Sequence, residues 1–254
     1  MVILVNQKRL EKIINVPYVA IDMGVPNIRA ITTYRYKDGY HLFNMSNGSG
    51  NTTPTDGNRL WLKNHFDLQN EMVWLRQMHG SRVCNLPNFD GSDVARTGDA
   101  AMSTFSYMPC TVLTADCLPI LVCNQNGTQV AAIHAGWRGV VAGVIQNTLE
   151  TFNGEPLSVW LGPCISQQYF EVGQDVYNEF VSLNINYAQY FVSNGIPGKY
   201  QLDLEGVTRE IIWQYNVFRM VSDTRCTYAL SNELFSFRRD GSSGCFASSI
   251  LIEA

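Results

Sequence analysis

The sequence predicts an α+β fold, a single domain with a mixed β-sandwich or sheet core and helices packed on its outside. Strand-like segments outnumber helical ones, and the two types do not alternate along the chain as they would in a wound α/β fold. The 254 residues are 46% hydrophobic, which is enough for a sizeable core. No linker-like stretch divides them, so we take 1–254 as one domain, in which 1–27 carry only a weak helical pattern around Leu10–Ile14.

Composition excludes several classes of partner. The formal net charge is −4, and the Lys and Arg residues are scattered, which argues against nucleic acid or an anionic membrane as the main partner. No apolar run approaches the length of a membrane span, and the first apolar run is too short for a secretory signal. Seven irregularly spaced cysteines are typical of reduced thiols. We therefore expect a cytoplasmic protein, monomeric or homodimeric, that acts on small molecules.

Patterns in the first half of the chain predict several strands and one helix. Runs rich in β-branched and aromatic residues predict strands at IRAITTYR (28–35), HLFNM (41–45), MVWLRQ (72–77), DAAMST (99–104) and CTVLTA (110–115). SRVCNL (81–86) continues extended, and polar residues predict loops at 46–58 and 88–98. Thr55 or Asp56 is a suitable N-cap for a helix that carries Leu60, Trp61, Asn64 and His65.

The second half is organised around a predicted hairpin. Two apolar strands, LPILVC (118–123) and TQVAAI (128–133), flank a turn at Asn124–Gly127. Spaced apolar residues predict three helices: one from Val140 to residue 152, one over 172–180, and one over 204–215 with Asp203 as N-cap. LSVWLG (157–162) and FASSILI (246–252) are predicted strands, and LFSFRR (234–239) precedes the last of them.

Three side chains at the ends of predicted strands form a candidate metal site. Cys117 enters the first hairpin strand, His134 leaves the second, and His79 ends the strand at 72–77. Two imidazoles and a thiolate suit Zn²⁺, with copper as the alternative, and three protein ligands leave a position open for a reactant. The separations of 38 and 17 residues match no compact zinc finger. A buried cysteine with two hydrogen-bonded histidines is therefore the competing interpretation.

Basic residues near this site are candidates for binding an anion. Gly136–Gly139 lies between a strand and the helix predicted from Val140, where free backbone N–H groups favour phosphate. Arg138, Arg238 and Arg239 could add bidentate contacts. For the last two arginines, a structural ion pair with Asp240 is the alternative.

Seven motifs resemble, in order, the signatures of the YfiH-type laccase-domain family, also called multicopper polyphenol oxidoreductase-like proteins. They are QMHGSRV (77–83), GDAAMST (98–104), TADCLPI (114–120), AAIHAGWRG (131–139), LGPCIS with YFEVG (161–173), DTRCTY (223–228) and FSFRRD with SG (235–244). The resemblance extends from about residue 28 to the C-terminus. TADC and HAGWRG at this spacing are its most specific part.

The resemblance implies a single α+β domain that binds a metal through His79, Cys117 and His134. It also implies purine nucleoside phosphorylase activity, in which phosphate attacks C1′ of adenosine, inosine or guanosine and releases the free base and ribose 1-phosphate. Methylthioadenosine cleavage and adenosine deamination are related family activities, and copper-dependent phenol oxidation is the older label. Asp116 is a candidate orienter or proton acceptor, with a turn carboxylate as the alternative.

Further candidates and departures concern substrate binding. Gln77, Asn44 and Arg59 are weaker candidates for ribose or phosphate contacts. The family's TGR after RRD reads Ser243, Gly244 and Cys245 here, its Gly-Gly-Val-Ser loop is shortened to YKDGY, and its acidic residue before the Asn-Arg helix is Asn51. These changes leave the three metal ligands intact and bear on phosphate affinity and substrate choice.

Three other functions compete with phosphorolysis. A multicopper oxidase needs many imidazoles, but the chain has four histidines (41, 65, 79 and 134), so His41 and His65 alone would remain for a trinuclear cluster. A single copper in the His₂Cys site stays open. Cys117 could instead act as a nucleophile with a histidine base. A metal-binding interaction module without turnover is the non-enzymatic alternative.

Overall fold

Two β-sheets packed face to face form the centre of the protein, and a small third sheet lies outside them. The computed structural model describes residues 3–4, 17–36, 42–46, 55–68, 72–86, 96–241 and 244–254. The strands within these ranges are β1 (Ile3–Leu4), β2 (Tyr18–Ile21), β3 (Ile28–Thr33), β4 (Val83–Asn85), β5 (Ala100–Ser103), β6 (Cys110–Thr114), β7 (Leu118–Asn124), β8 (Val130–Ala135), β9 (Leu157–Leu161), β10 (Glu171–Gly173), β11 (Phe191–Ser193), β12 (Lys199–Leu202), β13 (Val217–Ser222) and β14 (Phe246–Ile252).

The larger of the two central sheets is mixed in strand direction. The larger sheet has the order β1-β13-β9-β7-β8-β5-β4, with an antiparallel centre and parallel pairs towards both edges. The smaller central sheet, β2-β3-β14-β6, is antiparallel throughout. The outer sheet has the order β10-β12-β11.

Helices cover both outer faces of the sandwich. The α-helices of the described ranges are α1 (Thr55–His65), α2 (Trp137–Val141), α3 (Val144–Leu149), α4 (Gln174–Leu183), α5 (Leu204–Ile212) and α6 (Phe237–Asp240). Short 3-10 turns occupy Glu150–Phe152, Gln167–Tyr169 and Ile185–Tyr190. Among the described helices, none has the length and apolar character needed to cross a membrane.

Side-chain alternation along β7 divides the core into layers. Ile120 and Val122 face a cluster shared with α2–α5, whereas Leu121 and Cys123 face the cluster between the two central sheets. A third cluster packs α1, through residues such as Leu62, against the smaller sheet. The structure therefore confirms the single-domain α+β prediction, with a mixed sandwich core and helices outside.

Most predicted elements are present. Strands occur within the ranges predicted at 28–35, 99–104, 110–115, 157–162 and 246–252, and β7 and β8 form the predicted hairpin. Helix α1 begins at Thr55, so it takes the last four residues of the loop predicted at 46–58. Asp203 caps α5, since its side chain accepts a hydrogen bond from Gly206 N at 2.8 Å.

Two predicted strands are wrong. HLFNM and MVWLRQ each contribute only an isolated bridge, Leu42 with Tyr36 and Arg76 with Thr97. In both segments, hydrogen bonds from side-chain amides to the backbone take the place of regular pairing between strands. The Asn44 amide oxygen accepts from the backbone N–H of Ser46 and of Cys245, both at 2.9 Å. The Gln77 amide bonds to both the N–H and the C=O of a single β6 residue, Leu113, at 2.8 Å each.

Helix boundaries also differ from the prediction in places. The helix expected from Val140 begins at Trp137 and is split at Gly143, whose φ of 89° is left-handed. Val172 lies in β10 instead of α4, and Tyr215 lies beyond the end of α5. The two tail arginines lie on α6. Leu10–Ile14, the shortened loop at 37–40, Asn51, Ser243 and most of the loop predicted at 88–98 fall outside the described residues.

Candidate metal centre

The β7–β8 hairpin brings Cys117 and His134 to the same end of the larger sheet. Its register pairs Leu118 with Ala135 and Pro119 with His134. Cys117 directly precedes β7, and His134 is the penultimate residue of β8. The thiol and the imidazole therefore lie at neighbouring strand ends, as the turn at Asn124–Gly127 predicts.

A tight turn delivers His79 to the same point. His79 has a left-handed φ of 59°, which is uncommon for a residue other than glycine. The Asp99 carboxylate accepts hydrogen bonds from the backbone N–H groups of Met78, His79 and Gly80 at 3.1, 2.8 and 2.7 Å. The turn is thus stabilised by a buried carboxylate at the start of β5.

The ligand atoms of His79, Cys117 and His134 all lie within 4.8 Å of one another. Cys117 Sγ is 3.8 Å from His79 Nε2, and the two imidazole rings lie 4.7 Å apart at 74°. Tetrahedral zinc, with its usual Zn–S and Zn–N lengths, separates such ligand atoms by about 3.3–3.6 Å. The three residues therefore fit a metal ion. His134 is buried, Cys117 half-buried and His79 exposed, so the site opens to one side.

The electrostatics of the three side chains favour the thiolate that a metal requires. Burial opposes ionisation of the Cys117 thiol, but the imidazoles of His134 and His79 outweigh it and lower the pKa of Cys117. Burial likewise opposes protonation of His134, whereas the Cys117 thiolate and the Asp99 carboxylate raise its pKa. A thiolate and an imidazole held together are suited to either metal ligation or nucleophilic chemistry.

Glycines 136 and 139 allow the chain segments to approach one another at the site. A Cβ on Gly136 would lie 2.9 Å from Cys117 Sγ and 2.9 Å from His79 Cδ2. A Cβ on Gly139 would lie 3.0 Å from the Gly80 carbonyl oxygen. Both glycines of HAGWRG therefore serve the packing of the site, and α2, which begins between them, is a helix of five residues.

Asp99 is the site residue that sequence reasoning missed. Its Oδ1 lies 2.8 Å from His134 Nδ1, and the two side chains are only 1% and 4% exposed. In the sequence, this residue is the Asp of GDAAMST, and the pattern there predicts only the start of a strand.

The contacts of Asp116 are those expected of a turn carboxylate, the alternative given above. Its φ of 99° is left-handed, and its two carboxylate oxygens accept from Thr227 Oγ1 at 2.6 Å and from Arg238 N at 2.7 Å. The side chain thus joins the hairpin to the chain segment around α6. Its catalytic role stays a prediction.

The three arginines predicted to bind phosphate differ in how their donors are used. All five N–H donors of Arg239 bond within the protein, to backbone oxygens of Thr227, Tyr228 and Leu234 and to the Asp240 carboxylate. This is the ion-pair alternative named above.

The other two arginines lie at the surface. The exposed Arg238 donates to the carbonyl oxygen of Glu171 at 3.1 Å and lies near the Phe170 ring. Arg138 is also exposed, with its guanidinium 4.4 Å from the centre of the Trp137 ring.

The weaker candidates mainly support loops. Gln77 and Asn44 make the backbone contacts that replace strand pairing. Arg59 donates to the Met45 carbonyl oxygen from Nε at 3.0 Å and from Nη2 at 2.7 Å, and its guanidinium lies 4.2 Å from the centre of the Trp74 ring. A role for any of the three in substrate binding stays a prediction.

Comparison with known proteins places the chain and its fold in a family. The family model described as multi-copper polyphenol oxidoreductase laccase matches residues 33–253. The chain belongs to this family. The resemblance drawn from the seven motifs is thereby confirmed.

Relatives in this laccase family carry a different activity in their names. A protein from Escherichia coli (strain K12) named purine nucleoside phosphorylase YfiH is 38% identical over 215 residues, 83% of this chain and 86% of its own. A purine nucleoside phosphorylase from Haemophilus influenzae is 34% identical over 236 residues, 89% of this chain and 95% of its own.

Solved structures of similar proteins agree with the fold. A Neisseria meningitidis protein described as DUF152 superposes with a TM-score of 0.85 at 34% identity, over 94% of this chain and 100% of its own. A hypothetical protein YfiH from Bacillus licheniformis gives a TM-score of 0.79 at 19% identity, over 89% of this chain and 93% of its own, which bears on the fold alone.

Proposed function

We propose that this protein is a metal-dependent purine nucleoside phosphorylase. Its substrates are adenosine, inosine, guanosine and methylthioadenosine, which it cleaves with phosphate to the free base and the pentose 1-phosphate. The observation that carries the proposal is the convergence of His79, Cys117 and His134 in a chain whose relatives bear that name. Zinc is the metal we propose, with copper as the alternative, because two nitrogens and one sulfur suit both.

Phosphorolysis of an N-glycosidic bond requires stabilisation of two developing charges. Positive charge grows on the pentose while the departing purine becomes negative. A bound metal supplies Lewis acidity that stabilises the departing base. His79, Cys117 and His134 would hold the metal, and the exposed His79 marks the side on which we propose that the nucleoside binds.

We assign the phosphate contact to the arginines that lie at the surface. Arg239 has each of its donors engaged inside the protein, so the geometry favours Arg238, with Arg138 as a second candidate. Arg238 is tied to the site through its backbone, because its N–H donates to Asp116, the residue before Cys117. A guanidinium there is able to bind phosphate in a bidentate manner.

An exposed aromatic side chain is available for the purine. Phe237 begins α6, is 66% exposed, and directly precedes Arg238. Stacking of an aromatic ring on a nucleic-acid base contributes about 1–3 kcal/mol. We propose that Phe237 stacks on the base while Arg238 contacts the phosphate.

Multicopper oxidation is disfavoured by the number of histidines in the chain and by the placement of His65. Within the described residues, His65 stacks on the Trp61 ring and pairs with Arg29, with 3.3 Å between His65 Nε2 and Arg29 Nη2. The four histidines of the chain leave too few ligands for a trinuclear cluster beside the His₂Cys site. Oxidation by a single copper remains a separate hypothesis.

The lowered pKa of Cys117 specifically favours a second hypothesis, in which its thiolate is a nucleophile. Metal removal separates the two roles. A ligand becomes reactive to alkylating reagents only when the metal leaves, and chelation then abolishes turnover. A nucleophile supports turnover in the metal-free protein and forms a covalent adduct with substrate.

The experiment for the proposed function is metal analysis followed by chromatography of nucleosides. Purified protein is incubated with adenosine, inosine or guanosine, with and without phosphate, before and after chelation. We expect phosphate-dependent release of free base that is lost on chelation and restored by Zn²⁺. Inosine formed from adenosine without phosphate identifies deamination, the alternative reaction. Turnover of none of these nucleosides overturns the proposal in favour of a metal-binding module.

A further inference from the structure

A single buried carboxylate contacts both histidine segments of the metal centre. Asp99 Oδ1 lies 2.8 Å from His134 Nδ1 and accepts from His79 N at 2.8 Å. Asp99 Oδ2 accepts from Met78 N at 3.1 Å and from Gly80 N at 2.7 Å. Asp99 therefore connects two ligands that lie on different chain segments.

The contact with His134 decides which ring nitrogen is free. A carboxylate accepts hydrogen bonds, so the proton of a neutral His134 imidazole belongs on Nδ1. Nε2 is then left with its lone pair for the metal. An imidazole with the opposite tautomer would place two lone pairs against each other at 2.8 Å and leave no lone pair for ligation.

The contacts with the turn decide the position of His79. Three consecutive N–H groups directed at one carboxylate form a concave anion-binding turn, and His79 at its centre has a φ of 59°. With this backbone conformation, the His79 side chain reaches Cys117, whose Sγ lies 3.8 Å from His79 Nε2. Without an acceptor inside the turn, three N–H groups would lose their partner together.

We infer that Asp99 is the positioning residue of the metal centre: it sets the tautomer of His134 and the backbone turn of His79, and so aligns both imidazoles with Cys117. It does not contact the substrate in this role. The inference depends on the metal centre of the proposed function but not on the reaction, since each test below is made without a nucleoside.

The first test uses the unaltered protein. Histidine labelled with ¹⁵N is introduced, the protein is loaded with Zn²⁺, and NMR correlations identify the protonated nitrogen of each ring. We expect His134 to carry its proton on Nδ1 and to bind zinc through Nε2. A proton on Nε2, or zinc bound at Nδ1, overturns the inference.

The second test compares Asp99→Asn with Asp203→Ala. The Asn side chain keeps the size of the carboxylate but replaces one acceptor with a donor, so it cannot accept from all four N–H groups. We expect the Zn²⁺ affinity, measured by competition with a chelator, to fall about 10- to 100-fold. Asp203→Ala removes a helix cap remote in sequence from the site and should lower the melting temperature with zinc affinity unchanged.

A purely structural role for Asp99 makes a different prediction. The Asp99→Asn protein would then melt earlier but bind Zn²⁺ as tightly as the original, and that result overturns the inference. If Asp99→Asn does not fold, the tautomer measurement on the unaltered protein decides alone. A protein that binds zinc at Nε2 but cleaves no nucleoside supports the inference while contradicting the proposed function.

Discussion

The metal centre and the tail around α6 are both rich in polar groups, yet they use them in opposite ways. In the metal centre, three side chains direct their ligand atoms to one point, and a fourth residue, Asp99, holds two of them. In the tail, Arg239 directs each of its donors to oxygens of the protein itself. The hydrogen bonds that a polar group already makes within the protein, and not its residue type, therefore distinguish groups that are able to bind a ligand from those that stabilise the fold.

Asp116 connects the two regions. It directly precedes Cys117, and it accepts from Thr227 Oγ1 and from Arg238 N. The tail is thus anchored one residue away from Cys117, a proposed metal ligand. Substitutions in the two regions should accordingly differ in what they change first: metal affinity in the metal centre and stability in the tail.

The largest effect is expected for Cys117→Ser. A hydroxyl is a poor substitute for a thiolate towards zinc or copper, so bound metal and phosphorolysis should both fall below detection. Metal content by elemental analysis and base release by chromatography measure this. Cys226→Ser is the matched control, because its half-buried thiol lies outside the three-residue site. A Cys117→Ser protein that keeps its metal would show that Cys117 is not required for metal binding.

The next largest effect is expected for Gly136→Ala. Its backbone, at φ −76° and ψ 157°, accommodates alanine, so the effect arises from the new Cβ against Cys117 Sγ and His79 Cδ2. Displacement of two ligands should lower kcat/KM about 100-fold.

Gly195→Ala serves as the control for this substitution. Its φ of 85° strains alanine, but a Cβ there would meet nothing within 4 Å. It should lose stability and keep its activity. Equal kcat/KM losses in the two variants would show that the Gly136 contact is not specific to the metal centre.

Within the tail, Arg238→Ala and Arg239→Ala should differ in their effect on the free energy of unfolding. Removing Arg239 takes a donor from three carbonyl oxygens and from the Asp240 carboxylate, which also pairs with Arg35, and should cost about 3 kcal/mol of unfolding free energy. Removing the exposed Arg238 should change stability by only about 0.5 kcal/mol, since surface substitutions rarely do more.

Kinetics distinguish the same two variants. Arg238→Ala should raise the KM for phosphate about tenfold through loss of a charge-assisted contact. Arg239→Ala, measured well below its melting temperature, should leave that KM near its original value. If Arg239→Ala raised the KM for phosphate and Arg238→Ala did not, Arg239 would be shown to bind phosphate in spite of its internal hydrogen bonds.

The smallest effect is expected for Thr227→Val. The substitution keeps the shape of a fully buried side chain and removes the hydroxyl that donates to Asp116 at 2.6 Å. Denaturant unfolding should show a loss of about 1–2 kcal/mol, the usual consequence of leaving a buried carboxylate short of a donor. Zinc affinity should stay the same. A large loss of affinity would mean that Asp116 positions Cys117 more tightly than its contacts indicate.

Much of the fold could be predicted because its signals are local. The apolar run at 118–123 and the Asn124–Gly127 turn predict the hairpin, and the hairpin by itself brings Cys117 beside His134. Asp203 could be identified as a cap from the residues that follow it. These features depend on neighbours in sequence, which a single chain reveals.

The features that could not be predicted depend on distant contacts. The amide of Gln77 replaces strand pairing by bonding to Leu113, a residue 36 positions away, so the strand predicted at 72–77 does not form. Asp99 lies 20 residues from His79 and 35 from His134, and nothing in its neighbourhood shows that it serves both. Adjacent arginines 238 and 239 look equivalent in sequence and differ only in which oxygens surround them.

Thiol protection during zinc titration shows whether Cys117 binds the metal. Metal-free protein is titrated with Zn²⁺, the accessible thiols are alkylated, and the modified cysteines are mapped by mass spectrometry. We predict that one equivalent of zinc per chain protects Cys117 from alkylation and leaves the reactivity of the half-buried Cys226 unchanged. Zinc binding that leaves Cys117 as reactive as in the metal-free protein would contradict a metal centre at His79, Cys117 and His134.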